Sequence, residues 1–329
     1  MRVQIGALSV IVLAASASAQ PASEKIAIID FYGYGQIDPA QLRAVLAFKE
    51  GDAVPSKEVN QAAEEALVKA TGRAAAKVTR VCCLEDGRST VFVGLAVPDA
   101  PPVPYNPEPT GELKLPKEAH RLFVQLEKDT IAATKKGDSR EDDSEGYALM
   151  KNPEARGDQL KLRDWVRANP ATTYRVLETS RDARERAEAA EVLGYAEQSP
   201  EQIAALVRAS FDSDEDVRNN AIRALEVLCN LGPEVTRRIP AARFVPMLHS
   251  LVWTDRNKAS ALFLALSKSH DPAVLSALGA GALQPLREMA QWRDWGHAGF
   301  AATILARIGG IPDDQVTPVK VPEILKAVQ

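Results

Sequence analysis

From Lys25 to Val97 the hydrophobic pattern changes period several times. Ile26 to Phe31 is a short apolar run followed by Gly33 and Gly35, which predicts a strand and then a turn. Asp38-Pro39 suits a helix start, with the aspartate as cap and the proline in the first helical position. Leu42, Val45 and Leu46 give that helix an apolar stripe, and Lys49-Glu50-Gly51-Asp52 turns the chain. Pro55-Ser56 leads into a second helix with Val59, Ala62, Ala63, Ala66 and Leu67 inward. Val78 to Leu84 predicts a strand, Glu85-Asp86-Gly87-Arg88 a hairpin turn, and Ser89 to Val97 the partner strand. Val91, Val93, Leu95 and Val97 alternate along it, so one face is expected to be buried. The predicted order over 25–97 is β-α-α-β-β.

Residues 98–117 break this regularity with Pro98, Pro101, Pro102, Pro104, Pro107, Pro109 and Pro116. So many prolines exclude helix and central strand and predict an extended spacer between domains. Glu118 to Ala133 is an amphipathic helix carrying Leu122, Phe123, Leu126 and Ile131. Lys135 to Gly146 is polar, with Asp138, Glu141, Asp142, Asp143 and Glu145. These acids lack the order of a calcium loop. They predict a solvated loop, or one whose acids cap the next helix or pair with arginines on the helices beyond.

Past Asp158 nearly every segment is helical. In Asp214 to Cys229, acidic residues open a helix where the dipole favours negative charge. Val217, Ala221, Ala224, Leu225 and Leu228 then fall on one face. Small residues on that face let a neighbouring helix come close. Asp182-Ala183-Arg184 aligns with Asp216-Val217-Arg218 at an offset of 34, and Arg256-Asn257 with Arg218-Asn219 at an offset of 38. His297 to Ile308 is a looser copy. Self-similarity at this spacing means stacked helix pairs, because one pair cannot bury its own apolar face.

Two resemblances follow from these residues. Ile29-Asp30-Phe31-Tyr32-Gly33, with Ile37, Leu42, Leu46 and the Phe48-Lys49-Glu50-Gly51-Asp52 turn, resembles a POTRA domain. That resemblance implies a small exported module that docks polypeptide, often at a sheet edge. Asp216-Val217-Arg218-Asn219-Asn220-Ala221 resembles a HEAT repeat. It implies a solenoid whose second helices line a concave face, with an aspartate–arginine ladder between repeats; by position the ladder members would be Asp182, Arg184, Asp216 and Arg218. The expected fold is multi-domain: a small α+β POTRA-like domain at 25–97, a proline-rich linker at 98–117, an all-α HEAT-like solenoid at 118–309 and a tail at 310–329.

Composition adds an address. Arg2, the apolar run from Ile5 to Ala15 and the small-x-small Ala17-Ser18-Ala19 read as a secretory signal peptide over 1–19, cut after Ala19. No later segment approaches a membrane span, so the mature chain is expected to be exported, periplasmic and soluble. Of the 329 residues, 46% are hydrophobic and 26% charged, with a formal net charge of -4, and no basic field argues for nucleic acid. Cys82, Cys83 and Cys229 make a poor disulfide framework. A bond between adjacent cysteines is strained, so one inward and one outward thiol is expected, while a bridge from either to Cys229 stays open.

Catalytic spacing is missing. Ser144 lacks the G-x-S-x-G elbow, and His120, His249, His270 and His297 form no zinc-ligand pair. No catalytic, metal or cofactor site is expected. Trp253, Trp292 and Trp295 are core residues or, as a surface cluster, a binding hot spot. The pattern predicts a non-enzymatic scaffold binding a protein or peptide of the cell envelope. The alternative is a thiol-dependent or prosthetic-group-attaching enzyme or assembly factor, whose mark would be a reactive Cys82 or Cys83.

Overall fold

The first apolar run forms β1 (Ile26–Tyr32) in a computed structural model that describes residues 24–82, 84 and 86–328. The expected signal peptide therefore lies outside the described residues, as does Cys83. Helices α1 (Pro39–Val45) and α2 (Lys57–Thr71) follow. Asp38 caps α1 by accepting from the Ala40 amide, Ser56 caps α2 by accepting from Val59, and Gly72 ends α2 in the left-handed conformation. Strands β2 (Ala76–Val81) and β3 (Ser89–Leu95) complete a small mixed sheet of order β1–β3–β2, with β3 parallel to β1 and antiparallel to β2.

The alternation along β3 predicted one buried face, but every residue of β3 is buried. Val91, Val93 and Leu95 pack under α1 and α2 with Ile29 and Leu67. Phe92, with Tyr32 and Val81, belongs instead to the core of the helical part. The sheet is thus sandwiched, and its second face is an interface rather than a surface. Gly33 turns the chain out of β1 at φ 72°, where an added Cβ would overlap the Leu95 carbonyl. Gly33→Ala should cost about 1–3 kcal/mol from the backbone conformation alone. An unchanged melting temperature would show that the turn relaxes around a methyl group.

Most of the described chain is helical. Residues 117–179 contribute α3 (Lys117–Lys135), a short ladder of β4 (Glu141–Asp142) with β5 (Leu149–Met150), α4 (Pro153–Ala168) and α5 (Pro170–Thr179). Next come α6 (Ala183–Leu193), α7 (Pro200–Ala209), α8 (Glu215–Leu228), and the short α9 (Pro233–Thr236) and α10 (Ala241–Phe244). The series ends with α11 (Trp253–Leu266), α12 (Pro272–Gly281), α13 (Leu283–Ala290), α14 (Trp295–Ile308) and α15 (Val321–Ala327). Proline in the first turn after an Asn, Ser or Asp cap starts α4, α7 and α12. None of the described helices is long and apolar enough to cross a membrane.

Successive helices pack in a row, α5 on α6, α6 on α8, α8 on α11 and α11 on α14. The small residues Ala189, Ala190, Ala221, Ala259 and Ala301 are buried along it, which is what lets the axes approach. The expected tail at 310–329 instead includes α15, which packs on α14, buries Val321 and Ile324, and accepts from Arg287 at the Leu325 carbonyl (3.0 Å).

The proline-rich stretch is also not a free spacer. Tyr105 donates to Asp255 (2.5 Å), Asn106 bonds the carbonyls of Arg208 and Phe211, Gly111 bridges to Ser180, and the Leu115 amide donates to Glu185 (2.7 Å). Residues 98–116 form a strap that runs back along the row from α11 past α8 to α6. Proline explains this conformation: with few amides to satisfy, an extended chain can lie along helix ends and bond only where it must.

Candidate functional site

Three arginines near the starts of α6, α8 and α11 occupy equivalent places. Each turns back to a carbonyl six residues earlier: Arg186 to Ser180 (2.8 Å), Arg218 to Asp212 (2.9 Å) and Arg256 to Ser250. Arg186 also pairs with Asp212 (2.9 and 2.8 Å), and Arg218 with Asp255 (2.7 and 3.3 Å), so each reaches toward the next helix of the row. Arg256 bonds no acid among the described residues. Its Nη1 and Nη2 find no hydrogen-bond partner among the described residues, and its guanidinium stands 4.7 Å over the Tyr32 ring, with burial lowering its pKa to about 10. The ladder stops where the sheet begins.

This corrects the expected register. Arg186 and Arg218 are equivalent at an offset of 32, as are the helix caps Asp182 and Asp214. The expected 34 arose because Arg184 stands two residues from Arg186. Asp182 therefore caps α6, and Arg184 reaches Glu188 within its own helix (3.0 Å). The Asp216 side chain bonds no neighbouring helix among the described residues, whereas Arg218 pairs with Asp255.

The tryptophans form no surface cluster. Trp253 and Trp292 are 2% and 5% exposed, and Trp295 packs partly buried against the same core. Phe92 of β3 inserts between Trp253 and Trp292, at ring-centroid distances of 5.0 and 4.8 Å. Around this plug, Trp292 donates to the Phe31 carbonyl (2.8 Å) and Thr90 donates to Asp294 (2.7 Å). Asp30 accepts from the amides of Arg293 and Asp294 (2.9 and 3.0 Å), and Glu288 accepts from the Gly33 and Gly35 amides. His297 is buried among Phe92, Trp253 and Asn257, and burial lowers its pKa against the pull of Asp294. Cys82 is disulfide-bonded. Cys229 is free at the end of α8, which overturns a bridge to it, and burial pushes its thiol up to about 12, which leaves it inert.

The polar faces of the row converge elsewhere. Arg184, Glu188, Glu191 and Tyr195 follow at steps of four, three and four; the first three lie on one side of α6, and Tyr195 lies just past its end. Asp216, Asn220, Arg223 and Val227 repeat those steps on α8, and Lys258 continues the row on α11. Helix α3 and the β4–β5 segment close over this side, leaving a cleft of about 590 Å³. Phe123, Leu126 and Met150 give it an apolar wall, and Glu127 and Glu141 add carboxylates. The walls are tied together: His120 of α3 contacts Glu188 of α6 (2.7 Å), and Arg223 of α8 pairs with Glu141.

Charge in the cleft is unbalanced. Arg184 and Arg223 are engaged by Glu188 and Glu141. The side chains of Glu127, Glu191 and Asp216 have no hydrogen-bonded or ion-paired cation among the described residues. Burial pushes the Glu191 carboxyl up to about 7, with Glu127, Glu141 and Glu188 adding to the rise and Arg223 opposing it. Burial likewise raises the Glu127 and Asp216 carboxyls. Lys258 is 4% exposed and lines the cleft, yet its ammonium donates no hydrogen bond among the described residues. Burial and the nearby Arg223 bring it down to about 8, against the pull of Glu226 and Glu141. Asn219 Oδ1, also at the cleft, is buried without a donor.

No family model matches the chain, and no curated protein matches it. An engineered protein of solved structure is similar over 65% of this chain and 95% of its own, at 17% identity and a TM-score of 0.39.

The sequence expectations placed Asp216 and Arg184 in a ladder, and the structure brings both to the cleft instead. They missed Glu127, Glu188, Glu191, Arg223 and Lys258. A signal existed in the matching polar steps of α6 and α8, visible once the helices are aligned on their capping aspartates.

Proposed function

We propose that the chain is an exported, non-enzymatic interaction scaffold, a HEAT-like helical solenoid with a POTRA-like module, that holds a partner polypeptide of the cell envelope in the cleft of α6, α8 and α11. The observation that carries this reading is the cleft itself. Polar side chains from successive helices meet in it beneath a lid made by α3, and they include buried groups with unused hydrogen-bonding capacity. Its volume lies in the range of ligand pockets and suits a short run of residues rather than a folded domain. The sheet module, sandwiched between its own helices and α13–α14, would brace the row rather than act as a separate docking point. A photoreactive residue in place of Thr130, which lines the cleft, should crosslink one specific protein in the native host. The same residue in place of the exposed Lys69 on α2 should not. Equal products from both positions, or none from Thr130, would overturn the proposal.

A further inference from the structure

Unbalanced charge in the cleft says what kind of chain would fill it. Three carboxylates from three helices, Glu127 on α3, Glu191 on α6 and Asp216 on α8, face the space without a bonded cation among the described residues. Acidic clustering alone would be a solvated surface. Two observations separate this cleft from one. Lys258, more than nine-tenths buried along its stem, presents to the cleft an ammonium with no acceptor among the described residues, so a group that enters the cleft can accept from it. Asn219 Oδ1 is the complementary case, a buried acceptor with no donor. The occupant must therefore supply positive charge, at least one hydrogen-bond acceptor and at least one donor. An anion finds Arg184 and Arg223 already engaged by Glu188 and Glu141, leaving Lys258, and it is opposed by the surplus of acids that line the cleft. A simple polyamine supplies charge and donors but no acceptor. An extended peptide with basic side chains supplies all three, since its main chain alternates carbonyls with amides.

We infer that the cleft takes an extended segment of a partner protein bearing lysine or arginine, with its cationic side chains against Glu127, Glu191 and Asp216, a main-chain carbonyl accepting from Lys258 and an amide donating to Asn219. This rests on the reading of the chain as a scaffold and specifies the chemistry of its partner. Phe123, Leu126 and Met150 on the opposite wall cover the aliphatic stems of such side chains.

Calorimetric titration of the full chain at low salt tests this with three probes: capped decalysine, capped decaglutamate and spermidine. Decalysine should bind with one site. The double variant Glu127→Gln/Glu191→Gln should weaken it at least tenfold. The double variant Glu201→Gln/Glu234→Gln, which changes net charge equally at exposed positions outside the cleft, should change it less than twofold. Lys258→Met should weaken decalysine several-fold through the lost bond to a carbonyl, while spermidine, which has no carbonyl and is only relieved of a like charge, should bind no more weakly than before; melting curves confirm that each variant is folded. Equal weakening by both double variants would reduce the effect to net charge and overturn the inference. So would tighter binding of decaglutamate than of decalysine, or spermidine binding as tightly as decalysine. A crosslink from position 130 together with no decalysine binding would leave the scaffold standing and remove the basic partner.

Discussion

Replacing Asp255 by alanine should destabilise the protein by about 3–5 kcal/mol. Its carboxylate is 1% exposed and accepts from both Nε and Nη2 of Arg218, from Ser250 Oγ (3.0 Å) and from Tyr105 of the strap. Removing it strands a guanidinium that is itself 3% exposed. Arg218 would keep its bonds to the Asp212 and Ser213 carbonyls, and the Tyr105 ring 4.3 Å away, but no carboxylate. Most of the cost therefore comes from leaving a desolvated charge unpaired, and less from the lost contact itself. The pair Arg218→Met/Asp255→Leu separates the two: it removes both charges and should recover most of the loss. Urea midpoints at constant m-value provide the comparison. A single variant within about 1 kcal/mol of wild type would show that the charge is solvated after all.

Phe92→Ala should cost a similar about 3–5 kcal/mol, for an unrelated reason. Phe92 is fully buried with Trp253, Trp292 and His297 around it, and a methyl group in its place leaves a void between two rigid surfaces. Neither wall can collapse into that void. One is a sheet fixed by the β1–β3–β2 ladder, the other a pair of packed helices. Loosening should spread along the seam, so that tryptophan fluorescence shifts red and protease cuts within residues 96–117 before the helices unfold. Val59→Ala, on the exposed side of α2, should stay within about 0.5 kcal/mol and serves as the control. Unchanged cleavage of Phe92→Ala would show that the sheet does not depend on this plug.

Much of the secondary structure was legible because each signal is local. Asp38-Pro39 announces a helix start through its own side chains, and the strand alternation of 89–95 needs no partner to be read. The interface of Phe92 with Trp253 and Trp292 was not, since it joins residues 161 and 200 positions apart. No local pattern distinguishes a strand face that meets solvent from one that meets another part of the chain. Helix α11 shows the same limit. Asp255, Arg256, Asn257 and Lys258 read as a polar surface, yet all four are buried, because α8, the strap, the sheet and α14 surround them. The register error had a different origin. Arg184 and Arg186 both fit an arginine-before-alanine pattern, and only the backbone carbonyl six residues earlier decides which is the structural one. The cleft was hidden for a further reason: helix α3, which closes it, comes before the row in sequence and says nothing in its own pattern about what it covers.

A stack held together only by contacts between adjacent helices behaves as a spring, because small rotations at each junction add up along its length. The strap from 98 to 116 is bonded at α11, near α7 and α8, and at α6, and its ends are anchored by the sheet at one side and α3 at the other. It acts as a tie-rod along one edge of that spring. Stretching the row or opening its curvature would have to break the tie at several points together. The distance across which α6 and α11 present their side chains is thereby fixed before any partner arrives.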